Sequence, residues 1–319
     1  MHLRSFGKFG RVSALTLGGG GIGNVWGAVD RAEAVATVRA ALAAGITMID
    51  VAPTYGPGEA ETVVGQALDG TVPEGVLITT KVGLPDATPE TVEDTIVGSV
   101  RASMQRLGVD HIDLLLLHSQ LEPEGGPYGR RELGVGLFRS RVRPVFEQLR
   151  SDGVIRGWGL TGIGHPRALK DVLSEEPRPD AIQCVGNALD LTGDMWAFGA
   201  DAHPDNAGVR ACAVQAGVPV IGIRAVAAGA LTDAIDRPVE ADEPVARDYE
   251  AAAGFRRMAA ERGESAAHLA HRYALSMPDV ATVVLGVKNR AELDECLAAE
   301  AAGPLSGDEM RAIEALRAA

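Results

Sequence analysis

Ile112-Asp113-Leu114-Leu115-Leu116-Leu117-His118 is the stretch from which the fold can be read. Four consecutive leucines in a strand-length run predict a strand buried on both faces, as in a parallel sheet covered by helices. A helical pattern precedes it over residues 88–107, with Pro89 suited to the first turn, and another follows over 137–149. Outward from there the alternation repeats. Strands are predicted over 14–17, 46–50, 76–81, 154–160, 181–185, 218–223 and 282–285. Helices are predicted over 31–44, 59–68, 166–173, 207–216, 249–261, 266–274 and 291–298, with a last one over 310–316. Eight strand–helix alternations argue for a closed (β/α)8 TIM barrel over an open sheet. Residues 3–6 and 11–13, around Gly7 and Gly10, predict a small hairpin that plugs the bottom of the barrel. The expected fold is thus α/β: one barrel domain over residues 1–319, with an N-terminal β-hairpin and extra C-terminal helices.

Composition narrows the partners. The chain has 319 residues, 46% hydrophobic and 23% charged, which is ordinary for a globular protein. Thirty basic against 43 acidic residues give a net charge of −13, a field that repels polyanions, so no nucleic-acid partner is expected. No run reaches the roughly 20 apolar residues of a membrane span, and the N-terminal segment lacks the apolar core of a signal peptide. Cys184, Cys212 and Cys296 have neither zinc nor redox spacing, which suits packed thiols in a reducing cytoplasm; no metal is expected. His268 and His271 form H-x-x-H without the glutamate and spacing of a zinc protease helix.

In a barrel of this type the loops that follow the strands carry the site. Residues 122–129 and 237–244 are the candidate lids, and Tyr128 belongs to the first of them, whereas 174–179 connects on the opposite face. Three consecutive strands end in ionisable residues: Asp50, Lys81 and His118. Tyr55 lies on the adjoining loop, Asp50-Val51-Ala52-Pro53-Thr54-Tyr55-Gly56. Singly, each has an ordinary reading: a cap, a solvated strand end, a satisfied histidine, loop packing. Together on one rim they describe a proton-transfer device. A free phenol, with a pKa of about 10, is a reluctant acid. An ammonium at Lys81, held by Asp50, would lower that value. A neutral His118 could hydrogen-bond a carbonyl oxygen while Tyr55 donates its proton to it. Such a set moves protons but no electrons, so a nicotinamide hydride source is implied.

These residues resemble the Asp-Tyr-Lys-His tetrad of the aldo-keto reductases, and the resemblance runs over nearly the whole chain. Residues 34–55 together with Gly159-Leu160-Thr161-Gly162 look most like the branch that holds aldose, fucose and galactose dehydrogenases. The resemblance implies an NAD(P)(H)-dependent alcohol or sugar dehydrogenase acting on a small carbonyl or sugar. Two other readings compete with it: a nicotinamide-binding regulatory subunit without turnover, and a barrel enzyme that forms a Schiff base on Lys81.

The same resemblance assigns the cofactor contacts. Thr161 stands where the family has serine and Gln183 matches the glutamine of the carboxamide site, while Gly162 replaces an asparagine. Ile223 and Arg224 replace an aromatic–serine pair, so a stacking tyrosine is absent and Arg224 is expected at a phosphate or at the ring. Residues 225–232, with Gly229, would offer N–H groups to the pyrophosphate, or simply start a helix. The Gly18–Gly23 run is expected to be a loop that lets the ligand approach, and Trp26 a wall of the substrate pocket. Gly286, Lys288 and Glu292 fall in the segment that holds the adenosine end. Glu292 favours NAD(H) there and Lys288 favours NADP(H); the family's habit tips the expectation to NADP(H) through Lys288.

Overall fold

In this computed structural model, which describes residues 1–124, 132–198 and 202–318, the chain opens on two antiparallel strands, β1 (Leu3–Ser5) and β2 (Arg11–Ser13). Four parallel strands follow: β3 (Leu15–Gly18), β4 (Met48–Asp50), β5 (Leu77–Val82) and β6 (Ile112–Leu117). Two short strands, β7 (Gln120–Glu122) and β8 (Glu132–Gly134), pair with each other outside the main sheet. Four more parallel strands complete it: β9 (Ile155–Thr161), β10 (Ala181–Val185), β11 (Val220–Ile223) and β12 (Val280–Leu285). Because β12 pairs with β3, the eight close into a barrel in the order β3-β4-β5-β6-β9-β10-β11-β12. This is the expected (β/α)8 barrel.

The helices in chain order are α1 (Gly19–Ile22), α2 (Arg31–Ala43), α3 (Glu59–Leu68), α4 (Val92–Leu107), α5 (Val135–Leu137), α6 (Arg143–Ser151) and α7 (Pro166–Leu173). They continue with α8 (Asn206–Gln215), α9 (Pro244–Ala251), α10 (Ala253–Glu261), α11 (Ala266–Ser276), α12 (Arg290–Ala301) and α13 (Gly307–Glu314). None among the described residues is long and apolar enough to cross a membrane.

The four leucines of β6 show how the layers form. Leu115 and Leu117 pack with Ile96 and Val100 of α4 in the shell between sheet and helices. Leu114 and Leu116 point the other way, into the barrel, and meet Met48, Leu77 and Ile221 from other strands. Each buries a whole side chain, about 1.5–3 kcal/mol of transfer free energy apiece. Phe6, fully buried between β1 and β2, joins this inner cluster with Phe9 packed against it, so the hairpin does stopper the barrel. The acid in β6, Asp113, is satisfied by the Ile78 N–H at 2.8 Å and by Arg156 at 2.6 Å.

Three helices differ from expectation. α4 starts at Val92, because Thr88 and Thr91 tie residues 88–91 into a side-chain-bonded turn; Pro89 lies outside the helix. The helix expected over 137–149 contains a wide turn at Phe138–Val142 that ends next to Pro144, which has no N–H to continue a regular ladder. The helix expected over 249–261 begins at Pro244 and breaks at Ala252 into α9 and α10. The start of the first candidate lid is described through Glu124; the rest of it, Tyr128 included, lies outside the described residues.

Candidate functional site

Parallel strands bring their C-terminal ends to one rim. Asp50 is the last residue of β4, Lys81 the penultimate residue of β5, and His118 directly follows β6. Lys81 pairs in register with Leu116, one of the inward leucines, so its side chain rises inside the barrel, where it is 1% exposed. Its Nζ donates to Asp50 Oδ2 at 2.7 Å and to the Val51 carbonyl at 2.9 Å. It also lies 4.8 Å from the centre of the Tyr55 ring. The Tyr55 and His118 rings meet edge-on with centroids 5.8 Å apart. The structure thus brings all four residues together, with Asp50, Tyr55 and His118 lining a cavity of about 530 Å³.

The electrostatics follow from burial and from the ion pair. Burial pushes the Tyr55 phenol up; Lys81 pulls it down and Asp50 pushes it up again, and the net position stays above the ordinary phenol value, not below it as the sequence suggested, because burial outweighs the ammonium. Burial would strip the Lys81 ammonium of its proton, but Asp50 and Tyr55 more than compensate and raise it. His118 is pushed down to about 3, first by burial and then by the charge on Lys81. It is therefore neutral at any ordinary assay pH and should add no limb near pH ~6.5 to a rate profile. Between about 6.5 and 3 the unfolded chain binds a proton at this position and the folded chain does not, so stability falls as pH falls through that window. His118→Gln is expected to lose less thermal stability than the parent over the same interval. Parallel melting curves would contradict the assignment.

Further along the cavity, buried polar atoms stand without partners. Thr161 Oγ1 at the end of β9 and Gln183 Nε2 in β10 make no hydrogen bond, although these residues are only 4% and 2% exposed. Arg224, one residue beyond β11, donates through Nη1 to Asp194 Oδ1 at 3.1 Å, while its Nε and Nη2 are unpartnered. Its φ is +60°, and Ala227 and Ala228 follow at +47° and +56°. Three residues with side chains in the left-handed region within one loop cost free energy, and such strain concentrates where ligands bind. Gly229 lines the same wall, but its N–H is spent on the Val226 carbonyl at 2.9 Å. An amide donor, a hydroxyl and two nitrogens of a guanidinium left open in one buried cleft fit a nicotinamide carboxamide and its polar surroundings.

The glycine run differs from a flexible loop. Gly19–Ile22 forms the helical turn α1, packed against the end of β12 and the residues after it. A Cβ on Gly18 would lie 2.2 Å from the Leu285 carbonyl oxygen, and one on Gly21 would lie 2.0 Å from that of Val287. Gly20 faces the Trp26 indole, itself a cavity wall. Gly23 meets the tyrosine loop: a Cβ there would be 2.8 Å from Ala60 Cβ and 3.1 Å from the Tyr55 carbonyl oxygen. Gly23→Ala is accordingly expected to cost about 1–3 kcal/mol of stability by overpacking. It should also lower turnover by shifting Tyr55. A variant that melts and turns over like the parent would dissociate this glycine from the tyrosine loop.

At the far end of the cavity lie Gly286, Lys288 and Glu292. The Lys288 ammonium is not free as expected: it pairs with Asp236 and lies 3.7 Å from Glu292 Oε1. Glu292 also accepts from the Lys288 N–H at 2.9 Å and from Asn289 Nδ2 at 3.0 Å. Cys296 and His271 line the same end, Sγ to Nε2 3.5 Å. Sequence reasoning missed Asp194, Met195 and Asp236 as lining residues, whereas Glu295 falls in the 286–296 segment expected at the adenosine end. Only Asp236 had a signal, one residue before the lid predicted at 237–244. Arg237, the first residue of that lid, lies over the Trp26 ring at 5.3 Å. Among the described residues no three His, Cys, Asp or Glu side chains are grouped to hold a metal ion.

Comparison with known proteins agrees with this geometry. The Aldo/keto reductase family model matches residues 14–318. L-Galactose dehydrogenase of Arabidopsis thaliana is 26% identical over 302 residues, which cover 94% of this chain and 88% of that protein. D-threo-Aldose 1-dehydrogenase of Pseudomonas sp is 31% identical over 173 residues, 47% of this chain and 50% of that one. NADH-specific methylglyoxal reductase of Escherichia coli is 31% identical over 167 residues, 46% of each chain. Among solved structures, the holo form of an aldo-keto reductase from Bacillus halodurans matches with a TM-score of 0.73 and 24% identity. That match covers 99% of this chain and 96% of the other, and it is a likeness of fold.

Proposed function

We propose, since this chain belongs to the aldo/keto reductase family, that it interconverts a small carbonyl compound and its alcohol, with Tyr55 as the proton donor and acceptor. The observation that carries the reading is the buried Asp50–Lys81 pair under Tyr55, beside a neutral His118, with Asp50, Tyr55 and His118 lining one cavity. Asp50 and the Val51 carbonyl hold the Lys81 ammonium under the phenol. Lys81 offsets part of the burial that makes Tyr55 a poor acid, and a developing alkoxide is a strong enough base to take the phenol's proton and return it in the reverse direction. His118, uncharged, donates a hydrogen bond that orients the substrate oxygen without delivering a proton of its own. Gln183 and Thr161 would hold the carboxamide of a nicotinamide dinucleotide, with Arg224 beside them. When bound, that group supplies or accepts the hydride. Trp26, expected as a wall of the substrate pocket, lines the cavity against Gly20 and Gly286, beside Arg237.

The relatives named as L-galactose and D-threo-aldose dehydrogenases favour hydroxylated substrates such as aldoses. A Schiff-base role for Lys81 is disfavoured, because its raised pKa and two acceptor contacts leave the nitrogen no free lone pair. The test is turnover across a panel of aldehydes, ketones and aldoses with NADH, NADPH and their oxidised forms, followed by the absorbance of the reduced nicotinamide. Substrate-dependent hydride transfer is expected. Stoichiometric dinucleotide binding with no turnover on any member would replace this reading by that of a regulatory subunit.

A further inference from the structure

We infer that the cavity selects NAD(H) against NADP(H), by an acidic far end where Lys288 and Arg290 are already paired with acids; this rests on the dinucleotide reading above. The unpartnered Gln183 Nε2 and Thr161 Oγ1 place the nicotinamide beside the catalytic tyrosine. The adenosine half must then occupy the other end of the same cavity, where β12 gives way to α12. That end presents the carboxylates of Asp236, Glu292 and Glu295.

Among the described residues, two of the three cations near these acids are bound to carboxylates and the third lies on a ring. Lys288 pairs with Asp236 and approaches Glu292. Arg290 forms a two-pronged contact with Glu33, at 3.1 Å and 2.8 Å. Arg237 lies over the Trp26 ring. A helix N-terminus ordinarily attracts anions, but here its donors are largely taken. The Arg290 N–H goes to Glu33 Oε1 at 3.1 Å and the Glu292 N–H to the Asn289 side chain at 3.0 Å. The Leu293 N–H goes to the Asn289 carbonyl at 3.1 Å.

A 2′-phosphate, close to doubly charged, would meet the carboxylates of Glu292 and Glu295 with Lys288 and Arg290 already bound to acids, leaving Arg237, held over the Trp26 ring, as the one of these three cations without an acid partner. A ribose 2′-hydroxyl carries no charge and can donate a hydrogen bond to a carboxylate such as Glu292. The asymmetry therefore favours NAD(H).

The experiment is equilibrium titration of the full chain with NADH and with NADPH, read by quenching of protein fluorescence, to which Trp26 in the cavity wall contributes. Parent and the double variant Glu292→Gln, Asp236→Asn are compared. The parent is expected to bind NADH at least ~10-fold more tightly than NADPH, a factor equal to about 1.4 kcal/mol. In the double variant the ratio should fall several-fold, chiefly because NADPH gains affinity, and a parent-like melting curve reports that it is folded. Equal or tighter NADPH binding by the parent overturns the inference, as does a ratio that the double variant leaves unchanged. Failure of both dinucleotides to bind the folded parent would instead remove the dinucleotide reading itself.

Discussion

Tyr55→Phe is expected to lower kcat by about 10²–10⁴ while leaving dinucleotide affinity near that of the parent. The substitution removes one hydroxyl and keeps the ring, so the edge-on contact with His118 at 5.8 Å and the packing over the Lys81 ammonium persist. The pocket end at Gln183 and Thr161 is untouched. What is lost is the proton that must reach the substrate oxygen as the hydride arrives. His118 cannot take over, because burial and Lys81 hold it down to about 3 and it carries no acidic proton at neutral pH. Single-turnover measurements with saturating dinucleotide separate the chemical step from binding. A parent-like rate in that step would transfer the acid role away from Tyr55.

What the sequence reveals here divides along a physical line. The strand ends are legible because a parallel strand buried on both faces is a short apolar run with an abrupt polar stop. Asp50, Lys81 and His118 are those stops, and the closed barrel brings them to one rim whatever the loops do. The N-terminal hairpin is legible for a similar reason: Gly7 and Gly10, at φ +54° and +85°, set its turn and free Phe6 to enter the barrel. The pairing of charges between loops is not legible. Lys288 reads as a free phosphate ligand until Asp236, 52 residues earlier, is found against it. The contact between Arg224 and Asp194 also joins two strand-following loops whose approach no periodicity encodes. The glycine run is a tight helical turn, with Gly18 and Gly21 set by carbonyl oxygens at and after the β12 end, while Gly18, Gly19 and Gly20 line the cavity where the sequence expects the ligand to approach.

Lys81→Met should damage stability and catalysis by two separable routes. The ammonium and Asp50 are both nearly inaccessible, at side-chain exposures of 1% and 3%. Removing one member of such a pair strands the other charge and typically costs about 3–5 kcal/mol. The pH dependence identifies the cause. The folded-state pKa of Lys81 is raised despite burial, through Asp50 and Tyr55. A raised pKa contributes stability that is complete below the unfolded value of about 10.4 and is lost as pH climbs through the folded one. The parent should therefore destabilise on alkaline titration above that point, and the methionine variant should lack that component, so the gap between their melting temperatures narrows there. Catalysis reports the second route. Without the ammonium, the phenol loses the charge that partly counters its burial, and the carboxylate of Asp50 pushes it further up. The rate should fall, and the basic limb of the kcat profile should move to higher pH. A purely structural lysine would lower stability without moving that limb, so a variant that is less stable but keeps the parent's profile would separate Lys81 from the proton transfer.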